Sequence, residues 1–164
     1  MIILGIDPGT ATTGFGVLEK DGSKLEVIDY GCILTGAKLP MPERLNLIAK
    51  DLKKIIKKYK PQTMAVEDLF FFKNAKTAIT VGQARGVILF VGQEQGLEVV
   101  EYTPLQVKQA VVGYGRAEKK QVQYMVKAIL SLKSVPKPDD AADALAIAIC
   151  CASCMEYAKR VNHE

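Results

Sequence analysis

Four carboxylates in this chain stand where a charge is costly unless it is used. Asp7 ends the apolar run Ile2–Ile6, and Glu67 ends the apolar run Met64–Val66. Asp140 and Asp143 are spaced i, i+3 and so share one helix face, with Asp143 embedded in Ala141-Ala142-Asp143-Ala144-Leu145-Ala146-Ile147. If the two apolar runs are neighbouring strands, Asp7 and Glu67 emerge at one sheet edge, where α/β proteins place ligands. Convergent carboxylates repel one another until a cation sits among them. Oxygen donors of this kind suit a hard divalent ion, magnesium or manganese. Two such ions about 4 Å apart serve in-line hydrolysis of a phosphodiester, one activating the water and the other stabilising the leaving 3′ oxygen.

Each acid also has a plain reading. Asp140 can be a helix N-terminal charge favoured by the macrodipole, and Asp7 before Pro8-Gly9 can shape a turn. Glu67 and Asp143 are harder to explain that way, and it is the set of four that points to a site. The histidine count of 1, at His163, excludes a serine–histidine triad and a histidine-rich zinc centre. Carboxylates, lysines or cysteines must therefore carry any chemistry. Cys151-x-x-Cys154 lies inside a helical pattern without a second ligand pair, so buried small residues are the better account. The opening Asp7-Pro8-Gly9-Thr10 also suits an actin-like ATPase, but 164 residues leave no room for the second phosphate loop and lobe that such proteins need.

The elements that must position these residues alternate along the chain. The strand Ile2–Asp7 breaks at Pro8-Gly9, and a second strand from Thr13 to Lys20 meets Asp21-Gly22, a two-residue hairpin signal. A third strand runs from about Lys24 to Thr35. Pro40 and Pro42 mark a break before a helix near Glu43–Lys60, whose Leu45, Ile48, Leu52, Ile55, Ile56 and Tyr59 recur at helical steps. The pattern then predicts a strand over Thr63–Glu67, a helix over about Asn74–Gln95 stopped by Gly96, and a fifth strand over Leu97–Tyr102. Thr103-Pro104 starts a helix ending near Gly113, and two more cover about Glu118–Leu132 and Asp140–Tyr157. The expected architecture is one α/β domain over residues 1–160, a mixed five-stranded sheet flanked by helices, with a short tail at 161–164.

Lys+Arg 22 against Asp+Glu 18 gives a net charge of +4, which tolerates a nucleic-acid partner without proving one. No basic leader precedes Asp7. The longest apolar stretch, Ala144–Met155, falls short of the roughly 18 residues of a membrane helix. Three of four cysteines cluster in one helical pattern and cannot staple distant parts of the fold. A cytoplasmic protein is expected.

Several segments resemble the RuvC family of Holliday-junction resolvases: I-D-P-G-T with T-G-F-G (6–10, 13–16), A-V-E-D-L-F-F-F-K-N-A (65–75) and G-Q-A-R-G (82–86). The likeness continues through Q-V-K-Q-A-V-V-G-Y-G-R-A-E-K (106–119) and D-A-A-D-A-L-A-I-A (140–148). The resemblance implies an RNase H-like fold, a homodimer and paired nicking of a four-way DNA junction with two Mg2+ or Mn2+ ions per site. It also implies a branch-migration helicase complex of RuvA and RuvB type as partner. The family's catalytic, metal-binding tetrad falls on Asp7, Glu67, Asp140 and Asp143. Asp139, i, i+4 from Asp143, is a rival ligand to Asp140.

Lys108, Arg116, Lys119, Lys120 and Lys127 make the 108–127 stretch locally basic, and Gly113-Tyr114-Gly115 either lets amides approach a phosphate or only caps one helix and starts another. The resemblance assigns Lys108 and Lys119 to holding the scissile backbone and supporting catalysis; Arg116, from the local basic charge, is a further candidate DNA contact. The lysines at 50–60 read as the solvated face of an amphipathic helix. Phe70-Phe71-Phe72 reads as core by pattern. The resemblance instead makes one of the three, Phe70 by alignment, a wedge that stacks on junction bases. Gly82 and Gly86, one turn apart, allow core packing or, by the resemblance, a two-fold dimer interface.

Overall fold

The computed structural model describes residues 1–68 and 75–161. Among the described residues, five strands and five helices follow in the order β1 (Ile2–Asp7), β2 (Thr12–Asp21), β3 (Lys24–Leu34), α1 (Met41–Tyr59) and β4 (Thr63–Glu67). The chain continues through α2 (Ala75–Glu94), β5 (Glu98–Tyr102), α3 (Pro104–Val112), α4 (Lys119–Ile129) and α5 (Asp139–Val161). The strands form one sheet in the order β3-β2-β1-β4-β5. Its first three strands are an antiparallel meander, while β4 and β5 add parallel to β1. This is the mixed sheet that the pattern predicted, because each parallel addition follows a helical crossover.

Alternation along each strand divides the core in two. Leu4, Ile6, Val17, Met64 and Val66 face α1 and α2, meeting Ile48, Leu52, Ile56 and Ile88. Ile3, Leu18 and Ala65 face the other way, toward α3, α4 and α5. Asp7 and Glu67 have the parity of Ile3 and Ala65, so their side chains project on the α5 face. The helix α5 buries Leu145 and Ile147 completely and Ile149 almost so, each such side chain stabilising by roughly 1.5–3 kcal/mol. That burial holds the carboxylates of its first turns against the sheet. No helix among the described residues is long and apolar enough to cross a membrane.

Several boundaries differ from the pattern for local reasons. The helix α1 starts at Met41, with Pro40 at its N-cap and Pro42 inside the first turn, where a missing N–H costs no helical bond. Asp21 pairs with Lys24, so the hairpin loop is Gly22-Ser23 rather than Asp21-Gly22. Gly22 supplies the positive φ, 56°, that its first position requires. Val17 pairs with Asp29 and Leu18 with Val27, leaving Ile28 as a bulge and explaining its exposure. Glu118 stands at the N-cap of α4, its amide donating to Gln121 Oε1 at 2.8 Å, so that helix begins one residue later than expected. Thr103 does cap α3, its side chain accepting from the Gln106 amide. The final helix extends to Val161, past the expected Tyr157.

Candidate active site

The register of the sheet sets the site. Asp7 pairs with Gly14, Gly14 with Cys32, and Glu67 with Tyr102, while the pairing of Ile6 with Val66 puts Asp7 and Glu67 side by side. One row across the sheet end is therefore Cys32, Gly14, Asp7, Glu67 and Tyr102. The helix α5 crosses this face at very short range. A Cβ on Gly14 would stand 2.0 Å from the Asp140 carbonyl oxygen, one on Gly5 2.2 Å from that of Ala144, and one on Gly16 2.8 Å from the Leu145 side chain. These three strand glycines clear a lane that lets the helix backbone lie on β1 and β2. Asp140 and Asp143 are thereby brought beside Asp7. Pattern reading passed over this lane, although glycine inside a strand is its usual signal.

Asp7, Glu67 and Asp143 line a cleft of about 250 Å3, closed by Lys108 of α3 and Lys119 of α4, with Val107, Val122 and Ala146 as apolar wall. Burial, then repulsion from Glu67, Asp143 and Asp140, pushes the Asp7 carboxyl up to about 8. Burial and Asp143 push Glu67 up to about 7, against the pull of Lys108 and Lys119. Burial also raises Asp143, opposed by its hydrogen bond from Lys119, whose Nζ lies 2.8 Å from Oδ2. That contact raises Lys119 in turn. The acids are thus held together against their own repulsion with too little positive charge among them.

Asp140 stands at the edge of the cleft, close enough to raise both Asp7 and Cys32. Its rival Asp139 accepts from Lys137 Nζ at 2.7 Å, which holds its carboxyl below the usual range, and its Oδ2 lies 4.0 Å from Lys119 Nζ. Asp68, which strand parity turns to the opposite face from Glu67, pairs with Arg85 at 3.0 Å. Among the described residues, no three Asp, Glu, His or Cys side chains stand close enough to grip an ion as they are arranged. The donor set nevertheless fits a hard divalent cation: all-oxygen, half-buried, and raised in pKa by the charges a cation would neutralise.

Arg116 lies outside this cleft, lining a second, apolar groove with Leu105, Gln109, Tyr114 and Tyr157. Phe70, like Phe71 and Phe72, lies outside the described residues. Cys151 is buried as expected, but Cys154 is exposed on that second groove, because α5 turns it away from the sheet. The lysines of α1 do form a solvated face, Lys53 pairing with Glu94 at 2.6 Å and Lys54 with Asp51 at 2.7 Å. Two residues at the site carried no role in the pattern. Cys32 lies beside the Ala141 amide at the start of α5, and burial pushes its thiol up to about 11. Arg85 donates to the Glu67 carbonyl.

Comparison with known proteins bears on this geometry. The family model for "Crossover junction endodeoxyribonuclease RuvC" matches residues 3–151. A protein of that name from Halothermothrix orenii is 63% identical over 150 residues, covering 92% of this chain and 91% of its own. One from Desulfitobacterium hafniense is 56% identical over 162 residues, covering 99% and 98%. The solved structure of Thermus thermophilus RuvC in complex with Holliday junction substrate superposes with a TM-score of 0.90 at 37% identity, covering 96% of each chain. The mixed sheet with α5 laid across it is the RNase H-like fold of those structures. On matches of this length and identity, the chain belongs to the RuvC family of crossover junction endodeoxyribonucleases.

Proposed function

We propose that this chain is a metal-dependent endodeoxyribonuclease that resolves four-way (Holliday) junctions in DNA recombination and repair by symmetric nicking of two strands of like polarity. The observation that carries the reading is the convergence of Asp7, Glu67 and Asp143 with Lys108 and Lys119 in one cleft, Asp140 at its edge. Asp7, Glu67, Asp140 and Asp143 would hold two Mg2+ or Mn2+ ions. Such ions supply water activation and neutralisation of the developing phosphate charge, for hydrolysis that leaves a 5′-phosphate and a 3′-hydroxyl.

The chain's own residues do the positioning. Asp7, central in the row, reaches toward both the Glu67 and the α5 carboxylates. Lys119, now on Asp143, is released toward the phosphate once the carboxylates have another counter-charge. Lys108, already near Glu67, offers the second cation to the scissile backbone. The wall of Val107, Val122 and Ala146 limits water around these charges and strengthens their interactions. Arg116 and Phe70 complete the DNA-binding surface in this reading.

Pairing of the nicks calls for two sites related by a dyad, hence a homodimer. Supporting this, a Cβ on Gly82 or Gly86 would meet nothing within 4 Å among the described residues, and Ile79 and Phe90 on the same stripe of α2 are exposed. Among the described residues, nothing packs on this stripe. A RuvA- and RuvB-type helicase complex as partner, a cytoplasmic setting and a nuclease domain over 1–160 belong to the same reading.

The test is cleavage of a synthetic four-way junction in Mg2+ or Mn2+, with a chelator control and a linear duplex for comparison. Expected are paired nicks with metal only, and an Asp7→Asn protein that binds junctions but does not cut them. Cleavage by Asp7→Asn, or none by the wild type, would overturn the proposal.

A further inference from the structure

Arg85 occupies a position on α2 that no catalytic role requires. At about 100° per residue, Ala84, Ile88 and Val91 form the core face of α2, while Ile79, Gly82, Gly86 and Phe90 form its exposed stripe. Arg85 falls between the two, with its side chain 20% exposed. Its Nη2 lies 3.0 Å from Asp68 Oδ1 and also contacts the Glu101 carboxylate, while its Nε donates to the Glu67 carbonyl oxygen at 3.4 Å. One guanidinium therefore joins α2, the end of β4 and β5.

The face on which this happens matters. Glu101 has the parity of its partner Val66, on the α1/α2 side, whereas the Glu67 side chain projects toward α5. Arg85 thus grips Glu67 by its backbone, from behind the cleft. Past Glu67 the ladder continues with a backbone bond from the Asp68 amide to the Tyr102 carbonyl at 2.8 Å. The guanidinium ties this strand end to α2 and β5 as well.

We propose that Arg85 is a positioning residue that clamps the end of β4 to α2 and β5, setting the Glu67 carboxylate relative to Asp7. The inference rests on the nuclease reading above. It also links the catalytic row to the helix whose exposed stripe is the candidate dimer surface, so a shift of α2 reaches Glu67 through one side chain.

The test compares wild type, Arg85→Leu, Arg85→Lys, and a triple variant in which Arg85→Leu is combined with Asp68→Asn and Glu101→Gln. The triple variant removes the clamp without leaving two carboxylates facing each other, which separates positioning from folding. Melting temperature, junction affinity in Ca2+, kcat and KM in Mg2+, and the Mn2+ concentration for half-maximal thermal stabilisation without DNA are measured.

The triple variant should melt near the wild type and bind junctions within about twofold. Its kcat should fall at least about tenfold, and its Mn2+ midpoint should rise about tenfold, as for other groups that orient metal ligands. Arg85→Lys, which keeps charge but not the fork, should recover stability more fully than kcat. Wild-type kcat and Mn2+ midpoint in the triple variant, or kcat that merely tracks melting temperature across the series, would overturn the proposal. If the wild type fails to cut junctions, the nuclease reading fails, and the Mn2+ midpoints still judge the clamp.

Discussion

Replacing Asp7 by Asn should stabilise the metal-free protein at alkaline pH, a result opposite to the usual cost of altering a half-buried residue. The folded Asp7 carboxyl is raised from 3.8 to about 8. A carboxyl with a raised folded pKa binds its proton more tightly in the folded state. Its favourable contribution is complete below about pH 4 and is lost as pH rises through about 8. Four units correspond to about 6 kcal/mol at most. Burial is the largest cause, but repulsion from Glu67, Asp143 and Asp140 contributes and is relieved when any of them takes up the proton. Assigning about half to Asp7 alone leaves about 3 kcal/mol, and the buried Asn amide gives back about 1. Net stabilisation of about 2 kcal/mol at pH 8.5 in chelator corresponds to a rise of about 4–8 °C in Tm for a chain of this size.

Thermal melts of wild type and Asp7→Asn at pH 4.5, 6.5 and 8.5, with chelator and with excess Mg2+, give the comparison. The advantage of the variant should shrink toward pH 4.5. It should also shrink at pH 8.5 when Mg2+ is added, because ions that bind only the folded wild type stabilise it. If Asp7→Asn melts at or below wild type at pH 8.5 in chelator, or gains most in acid, the account of mutually repelling carboxylates is wrong.

Three further outcomes follow from the packing. Gly14→Ala should destabilise by about 3 kcal/mol or more and abolish cleavage, since its Cβ would collide with the Asp140 carbonyl; urea unfolding and the junction assay check both. Thr103→Ala should cost about 1 kcal/mol through loss of the α3 cap, read as a lower urea midpoint with unchanged slope. Ile79→Asp with Phe90→Asp should yield a folded monomer by light scattering if the α2 stripe is the dimer surface, and an unchanged mass would refute that assignment.

Much of the architecture was legible because local chemistry and periodicity agreed. The alternation of the first strands, the Thr103-Pro104 helix start and the helical steps of Leu45 to Tyr59 each specify their element without reference to distant residues. Boundaries slipped where a backbone position serves two descriptions. Pro42 reads as a helix breaker but sits in a first turn that lacks internal acceptors. Asp21-Gly22 reads as the hairpin loop until pairing of Asp21 with Lys24 moves the loop to Gly22-Ser23.

The four carboxylates were legible for a different reason. A charge that ends an apolar strand or interrupts an alanine-rich helix conflicts with its local pattern, and the conflict shows in the residues alone. By itself, then, the sequence determined the α/β class, the absence of histidine chemistry and which acids needed explaining. Only the tertiary structure decided their distances and their company: that Asp139 answers to Lys137, that Lys119 sits on Asp143, that Arg116 faces another groove, and that Arg85 grips Glu67 from behind. Those facts depend on strand register and on a helix lying on three glycines. Register and close approach are properties of pairs of segments far apart in the chain, and no local pattern of residues encodes them.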